Sequence, residues 1–86
     1  MDQIAKKYEY IDSVHGQIAK NIRALREGQY RTISQLARKA GMSWKVIEYW
    51  ELGKTSPSLD KLLWVCEVTG WSLDDILKGV AKDGSA

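Results

Sequence analysis

Residues 32–54, "TISQLARKAGMSWKVIEYWELGK", hold two helical patterns separated by a glycine. Thr32 and Gln35 are spaced as a capping box, in which each side chain binds a backbone N–H at the start of a helix. Gly41 suits the left-handed conformation that ends a helix, and Ser43 is a preferred residue for starting the next one. The stretch therefore predicts a helix over about 33–40, a short turn and a second helix that Gly53 ends.

The second of these helices has an apolar face and an opposite, mixed face. Ile47 and Trp50 share the apolar face, and at 100° per residue the opposite side carries Lys45, Glu48, Tyr49 and Leu52. Two helices joined by a turn of three to four residues form the helix-turn-helix arrangement. Its second helix enters the DNA major groove with its N-terminal residues first. The mixed face is therefore the predicted surface for base edges.

Apolar spacing predicts one helix before this stretch. Ile18, Ile22 and Leu25 recur at four and three residues, the spacing of one helical face, so we predict a helix over 16–27 that Gly28 ends. In the helix that follows, the predicted inward residues are Leu36, Ala37 and Ala40.

Two further helices are predicted after Gly53. Ser58, behind Pro57, is placed to cap a fourth helix that Gly70 ends, and its predicted inward residues are Leu59, Leu62, Leu63, Val65 and Cys66. Ser72 and Asp75 have capping-box spacing at the start of a fifth, which Gly79 ends. The inward residues predicted there are Leu73, Ile76 and Leu77.

These elements predict an all-α fold with five helices in one domain over 16–79. Residues 1–15 form an N-terminal extension in which the apolar spacing over 3–12 allows one more amphipathic helix. Packing on its own core, a dimer contact and a partly ordered arm all remain open for this extension. The small, polar residues of the tail, 80–86, are expected to fray.

Composition excludes several other classes of protein. The chain has 86 residues, one cysteine and one histidine, so neither an internal disulfide nor a metal site is expected. No apolar run approaches the length of a membrane span, about 18 residues, and the charged start lacks the apolar stretch of a signal peptide. We expect a cytoplasmic protein that binds no cofactor and is not an enzyme.

Positive charge is concentrated in one part of the chain. Residues 20–39 hold six Lys and Arg against Glu27 alone, a net +5, although the whole chain carries only +2. Residues 59–86 sum to −2. A polyanion would be attracted to the first segment and repelled by the second. Arg38 and Lys39, beside the predicted reading helix, are therefore candidate phosphate contacts, although a solvated surface remains an equal alternative.

Four segments of the chain resemble the lambda-repressor-like, Xre-type helix-turn-helix domains of phage repressors and bacterial regulators. They are "IAKNIRALR", "ISQLARKAGMS", "VIEYWELGKTSPSL" and "LLWVCEVTGWSLDDIL", within residues 17–78. The resemblance implies a five-helix domain that binds a near-palindromic double-stranded DNA operator, usually as a homodimer. It places the protein in the cytoplasm of a bacterial or phage-infected cell.

The resemblance also implies roles for individual residues. Base contacts are implied for Ser43, Trp44, Lys45 and Tyr49, and phosphate contacts for Thr32, Ile33 and Lys54. Arg26 and Glu51 match a pair that forms an internal ion pair in relatives. Glu48 is a further candidate, because a carboxylate can accept a hydrogen bond from the cytosine amino group, although an exposed glutamate more often lies on a solvated face.

Two positions depart from the family pattern and leave a second function open. Ile33 stands where a glutamine commonly reaches a phosphate, and Leu52 replaces a commonly polar residue. Trp44 either packs against the preceding helix or faces outward, whereas Trp50, Trp64 and Trp71 are predicted core residues. The two functions considered are a sequence-specific transcription regulator and a helix-turn-helix module that binds protein, such as an antitoxin or a regulatory subunit.

Overall fold

The structure is a computed structural model that describes residues 14–80, with side chains from Gly16 onward. Within these residues the chain forms five α-helices and no strand, which confirms the predicted all-α fold. The helices are α1 (Val14–Gln29), α2 (Ile33–Ala40), α3 (Trp44–Glu51), α4 (Leu59–Thr69) and α5 (Leu73–Ile76). The predicted helix over 3–12 and the tail beyond Val80 lie outside the described residues.

The turn between α2 and α3 is built from the local signals that predict it. Thr32 Oγ1 accepts a hydrogen bond from the Gln35 backbone N–H, while the Gln35 side chain accepts the Thr32 N–H, so the capping box is complete. Gly41 ends α2 in the left-handed conformation, with φ of 67°. Ser43 then starts α3, because its hydroxyl accepts the Lys45 backbone N–H at 3.2 Å.

The end of α1 differs from the prediction. Gly28 does not end the helix, which continues through Gln29, and the Tyr30 N–H donates to the Arg26 carbonyl at 2.5 Å. Contacts with the α4–α5 connection hold this last turn: the Gln29 amide donates to the Thr69 carbonyl and accepts the Trp71 indole N–H. A helical glycine costs only about 1 kcal/mol relative to alanine, so tertiary contacts of this kind can outweigh it.

The core lies where α1, α2 and α3 meet α4 and α5. Its buried apolar residues are Ile18, Ile22, Leu36, Ala37, Ala40, Ile47, Trp50, Leu62, Val65, Trp71 and Ile76. The inward residues predicted for α2 and α3 are thus confirmed, as is the burial of Trp50 and Trp71. Trp71 is also held by its indole hydrogen bond and by an edge-to-face contact with Tyr30, whose ring centroid is 6.5 Å away.

Three residues of α4 predicted to face the core are exposed instead. Leu59 is 64%, Leu63 50% and Trp64 49% exposed, although Leu62 and Val65 are buried as predicted. Apolar side chains of this helix occur on more than one of its sides, so hydrophobicity alone does not show which side packs inward. Trp64 lies at the edge of the core, where its indole N–H donates to the Ala40 carbonyl at 2.8 Å. It therefore ties α4 to the end of α2.

The helix starts at α4 and α5 use their serines differently. At α5 the Ser72 hydroxyl accepts the Asp75 backbone N–H, as its spacing predicts. Ser58 stands at the start of α4, but its hydroxyl makes no capping bond and donates to the Asp60 carboxylate at 2.5 Å. This hydrogen bond lowers the pKa of Asp60, because it stabilises the ionised form. The prediction that the Ser58 side chain caps α4 is therefore wrong: Ser58 occupies the capping position but makes no capping hydrogen bond.

Cys66 is partly buried and packs against the core. Burial raises the pKa of its thiol, and the negative charge of Asp75 raises it further. Both effects favour the neutral thiol over the thiolate, which is the nucleophilic form of cysteine.

An ion pair joins α1 to α3. Arg26 Nε donates to Glu51 Oε2 at 2.5 Å and Arg26 Nη2 donates to Glu51 Oε1 at 3.1 Å, so the guanidinium binds both carboxylate oxygens. The two side chains are only 9% and 5% exposed. Arg26 Nη1 also donates to the Arg31 carbonyl at 3.4 Å, which links the pair to the α1–α2 connection.

Removing one member of this pair should be costly. We expect Glu51→Ala to lower the free energy of unfolding by about 3–5 kcal/mol, because it leaves the buried Arg26 guanidinium without its counter-charge. Urea unfolding followed by tryptophan fluorescence measures the loss. Glu27→Ala is the control, since Glu27 lies on the surface, where it pairs with Arg23 at 3.4 Å and reaches Arg26 Nη2 only at 3.9 Å, and it should contribute less than about 1 kcal/mol. Equal losses in both variants would contradict the prediction.

Alanine substitutions at two glycines should change the free energy of unfolding in opposite directions. A Cβ at either Gly28 or Gly41 would meet no atom within 4 Å, so sterics do not distinguish them. Gly28 is helical, so Gly28→Ala should stabilise the fold by about 0.4–1 kcal/mol. Gly41 has φ of 67°, so Gly41→Ala should cost about 1–2 kcal/mol. The same urea titrations measure both changes. If both variants gain or both lose stability, backbone conformation does not explain the effects.

Candidate nucleic-acid interface

The packing of α3 exposes the side that the sequence predicts for base contacts. Ile47 and Trp50 are buried at 0% and 4% exposure. On the opposite side of the helix Lys45 is exposed and Tyr49 is 36% exposed, and Trp44, in the first turn of the helix, is 49% exposed. Trp44 is therefore not a core residue packed under α2.

The remaining candidates for base contacts lie at the start and middle of the same helix. Ser43 is exposed, and although its hydroxyl oxygen accepts the Lys45 N–H, its own O–H can still donate. Glu48 is half-buried, and so is Leu52 at the end of the helix. The structure thus brings all five candidate base contacts, Ser43, Trp44, Lys45, Glu48 and Tyr49, onto one short element.

Both lysines near this helix lie against aromatic rings. The Lys45 ammonium is 5.3 Å from the centroid of a Trp44 ring, and the Lys54 ammonium is 5.0 Å from the Tyr49 centroid. These distances are within the range of a cation–π attraction. Composition and spacing do not show the second pairing, because Lys54 approaches Tyr49 only through the turn at Leu52 and Gly53.

The candidate phosphate contacts are spread over α2 and the residue after α3. Thr32 is exposed at the start of α2, where its hydroxyl oxygen is already used in the capping box. Arg38 and Lys39 lie in the last turn of α2, about 9 Å further along the helix axis. They are exposed and line an open depression with Tyr30 and Gln35. Lys54 is exposed beyond the end of α3.

Ile33, at the position where the family resemblance implies a glutamine, is a packing residue. It is half-buried and packs against the core at the start of α2. The polar contact at this helix start is made by Gln35, whose side-chain oxygen accepts the backbone N–H groups of Arg31 and Thr32. The departure at position 33 therefore adds packing to α2 and supplies no side-chain donor for a phosphate.

Ion pairing changes the charge that this surface presents. Arg26 is neutralised by Glu51 inside the protein, and Arg23 is paired with Glu27 at 3.4 Å on the surface of α1. The other cations of residues 20–39 remain exposed: Lys20, Arg31, Arg38 and Lys39. Arg31 is absent from the candidates derived from sequence, although an arginine immediately before the capping Thr32 was a usable signal.

The second half of the structure has the opposite charge. Residues 59–80 carry four carboxylates and two lysines, all of them exposed. The two lysines are Lys61 and Lys78. The net positive charge therefore lies in the part of the chain that holds α1, α2 and α3, and α4 and α5 carry a net negative charge.

Residues 14–80 contain neither a candidate membrane span nor a candidate metal cluster. No helix there is long and apolar enough to cross a membrane. Those residues also contain no group of three His, Cys, Asp or Glu side chains placed to hold a metal ion.

Comparison with known proteins identifies the family. A family model described as helix-turn-helix, of the Xre, Cro and C1 type, matches residues 22–76. The match covers 55 of 86 residues, and the chain belongs to this family. Searches of curated proteins and of solved structures give no significant match.

Proposed function

We propose that this member of the helix-turn-helix family is a sequence-specific regulator of transcription that reads the DNA major groove with α3. The observation that carries the proposal is the exposed face of α3. It presents Trp44, Lys45 and Tyr49 to solvent at the start and middle of the helix, and α2 packs behind it. A recognition helix contacts bases with residues in these positions.

In this proposal the exposed residues fall into two groups. The base contacts are Ser43, Trp44, Lys45, Glu48 and Tyr49, and the phosphate contacts are Thr32, Arg38, Lys39 and Lys54. Lys45 supplies hydrogen bonds to guanine O6 and N7, and the aromatic rings supply apolar contact with thymine methyl groups. The phosphate contacts set the position of the domain on the duplex and carry no sequence information themselves.

The charge distribution supports this orientation. Exposed cations lie on α1, on α2 and on the connection between them, whereas α4 and α5 are acidic, so a duplex would be attracted to the first group of elements and repelled by the second. A bacterial or phage regulator of this kind acts in the cytoplasm, where its DNA is. Whether it represses or activates depends on where its operator lies relative to a promoter.

A second candidate is a module that binds another protein, such as an antitoxin or a regulatory subunit. The apolar character of the exposed α3 surface favours it, since Trp44, Val46 and Tyr49 are all more exposed than core residues. Salt distinguishes the two functions. Neutralisation of phosphates makes DNA affinity fall steeply with salt, whereas an apolar protein contact is much less sensitive.

Two lysine substitutions test DNA reading at single residues. Lys45→Ala should cost about 1–3 kcal/mol on the preferred site and relax the base preference there, because this side chain is proposed to bind base edges. Lys54→Ala should weaken all duplexes about equally and reduce the salt slope by about one unit, because it is proposed to bind a phosphate. Fluorescence anisotropy on preferred and scrambled duplexes at several salt concentrations measures both effects.

Lys78→Ala is the matched control, because it removes an exposed lysine from the acidic side of the protein. It should leave affinity and salt slope close to those of the wild type. If Lys45→Ala and Lys54→Ala proteins remain folded and bind DNA like the wild type, α3 does not read DNA and the protein-binding function becomes the better explanation.

We further propose that two copies bind one near-palindromic operator. A single domain of this size buries less surface than tight specific binding needs, and two α3 helices about 34 Å apart match successive turns of the major groove. Sedimentation equilibrium with a duplex carrying both half-sites should give two protein chains per duplex. A complex that stays at one chain per symmetric duplex would exclude the dimer.

A further inference from the structure

Tyr49 and Lys54 form a unit at the end of α3. The Lys54 ammonium lies 5.0 Å from the Tyr49 ring centroid. The same two residues are joined through the backbone, because the Lys54 N–H donates to the Tyr49 carbonyl at 3.0 Å. The Thr55 N–H donates to that carbonyl as well, at 3.4 Å. Both the main chain and the side chain of Lys54 are thus held by Tyr49.

The turn between them makes this geometry possible. The Leu52 N–H still follows the helix and donates to the Glu48 carbonyl, whereas Gly53 adopts a left-handed φ of 74° and ends it. The chain then folds back over the last turn of α3. Residues five apart on a continuous helix do not lie on the same face, so the pairing depends on this reversal.

The ring holds the ammonium without neutralising it. Among residues 14–80 no carboxylate lies within 4.0 Å of Lys54, in contrast to Arg23 and Arg26. A carboxylate partner would compete with a phosphate for the lysine, but a tyrosine ring has no net charge and accepts no strong hydrogen bond on its face. The positive charge therefore remains available to a phosphate oxygen.

Holding the side chain in advance also reduces an entropic cost. A free lysine side chain has one of the largest rotamer entropies, which binding to a single phosphate would remove. When the free protein already restricts that side chain, less entropy is lost on binding. The effect requires only a weak attraction, and a cation–π contact at an exposed site supplies one.

We propose that Tyr49 is a positioning residue for Lys54: its ring and carbonyl place the lysine to bind a backbone phosphate next to the bases that α3 reads. This inference rests on the proposed DNA-binding function and adds a second role for Tyr49 besides base contact. The two roles are separable, because base contact does not depend on Lys54 and positioning acts only through it.

A double-mutant cycle separates them. The wild type, Tyr49→Leu, Lys54→Ala and the double variant are titrated by anisotropy against a duplex selected from a random pool, at two salt concentrations. We expect the loss caused by Tyr49→Leu to be about two- to five-fold smaller in the Lys54→Ala background, the fold-change that corresponds to an exposed cation–π contact. A loss that is equal in both backgrounds would overturn the positioning role.

Tyr49→Phe tests whether the ring is the active part. It keeps the aromatic face and the main-chain hydrogen bonds, so it should keep the same coupling with Lys54 that the wild type shows. If Tyr49→Phe loses the coupling as Tyr49→Leu does, the phenol hydroxyl is responsible and the inference is wrong. Circular dichroism melting of each variant verifies folding.

The same measurements distinguish a failure of the DNA-binding function from a failure of the positioning role alone. Absence of binding by the wild-type protein to every selected duplex would overturn the DNA-binding function and this inference together. Normal binding by the wild type with independent effects of Tyr49 and Lys54 would overturn this inference alone.

Discussion

The ion pair between Arg26 and Glu51 fixes the end of α3 against α1, and the position of the exposed surface of α3 depends in part on this contact. It joins residues 25 positions apart in the chain, and both oxygens of the carboxylate are bound. Two buried charges tolerate little displacement, because separating them leaves each one desolvated without compensation. Ile47 and Trp50 already direct one side of α3 into the core. The ion pair adds a polar constraint at the end of the helix, so the rotation of α3 about its axis is set by both.

The same pair changes how the charge of the protein should be interpreted. Sequence counting assigns residues 20–39 a net +5. One of these cations is buried with Glu51 and another is paired with Glu27 on the surface, so neither is freely available to a polyanion. The remaining exposed cations lie mainly around α2. Electrostatic attraction to a duplex would therefore come from the helix beside α3 and from the residues that flank it.

Sequence predicts best those features of the fold that neighbouring residues determine. The capping box of Thr32 and the glycine at position 41 act through backbone geometry within a few residues, so neighbours in sequence suffice to recognise them. Sequence does not show that Gly28 is helical, because distant residues hold the last turn of α1. Sequence does not show the exposure of Leu59, Leu63 and Trp64 either, because α4 is apolar on more than one side and only its packing against α2 and α5 selects the buried side. The contact of Lys54 with Tyr49 likewise needs the folded turn.

The exposed surface of α3 is close to neutral, which has consequences for the proposed DNA reading. The helix carries Lys45, Glu48 and Glu51, and Glu51 is neutralised inside the protein. A nearly neutral reading surface adds little to the sequence-independent attraction that phosphates exert. Its contacts with bases are then chiefly apolar and hydrogen-bonding, and these discriminate between sequences. The cations that attract the duplex and the residues that read it would thus be largely different side chains, with Lys54 at the boundary between the two groups.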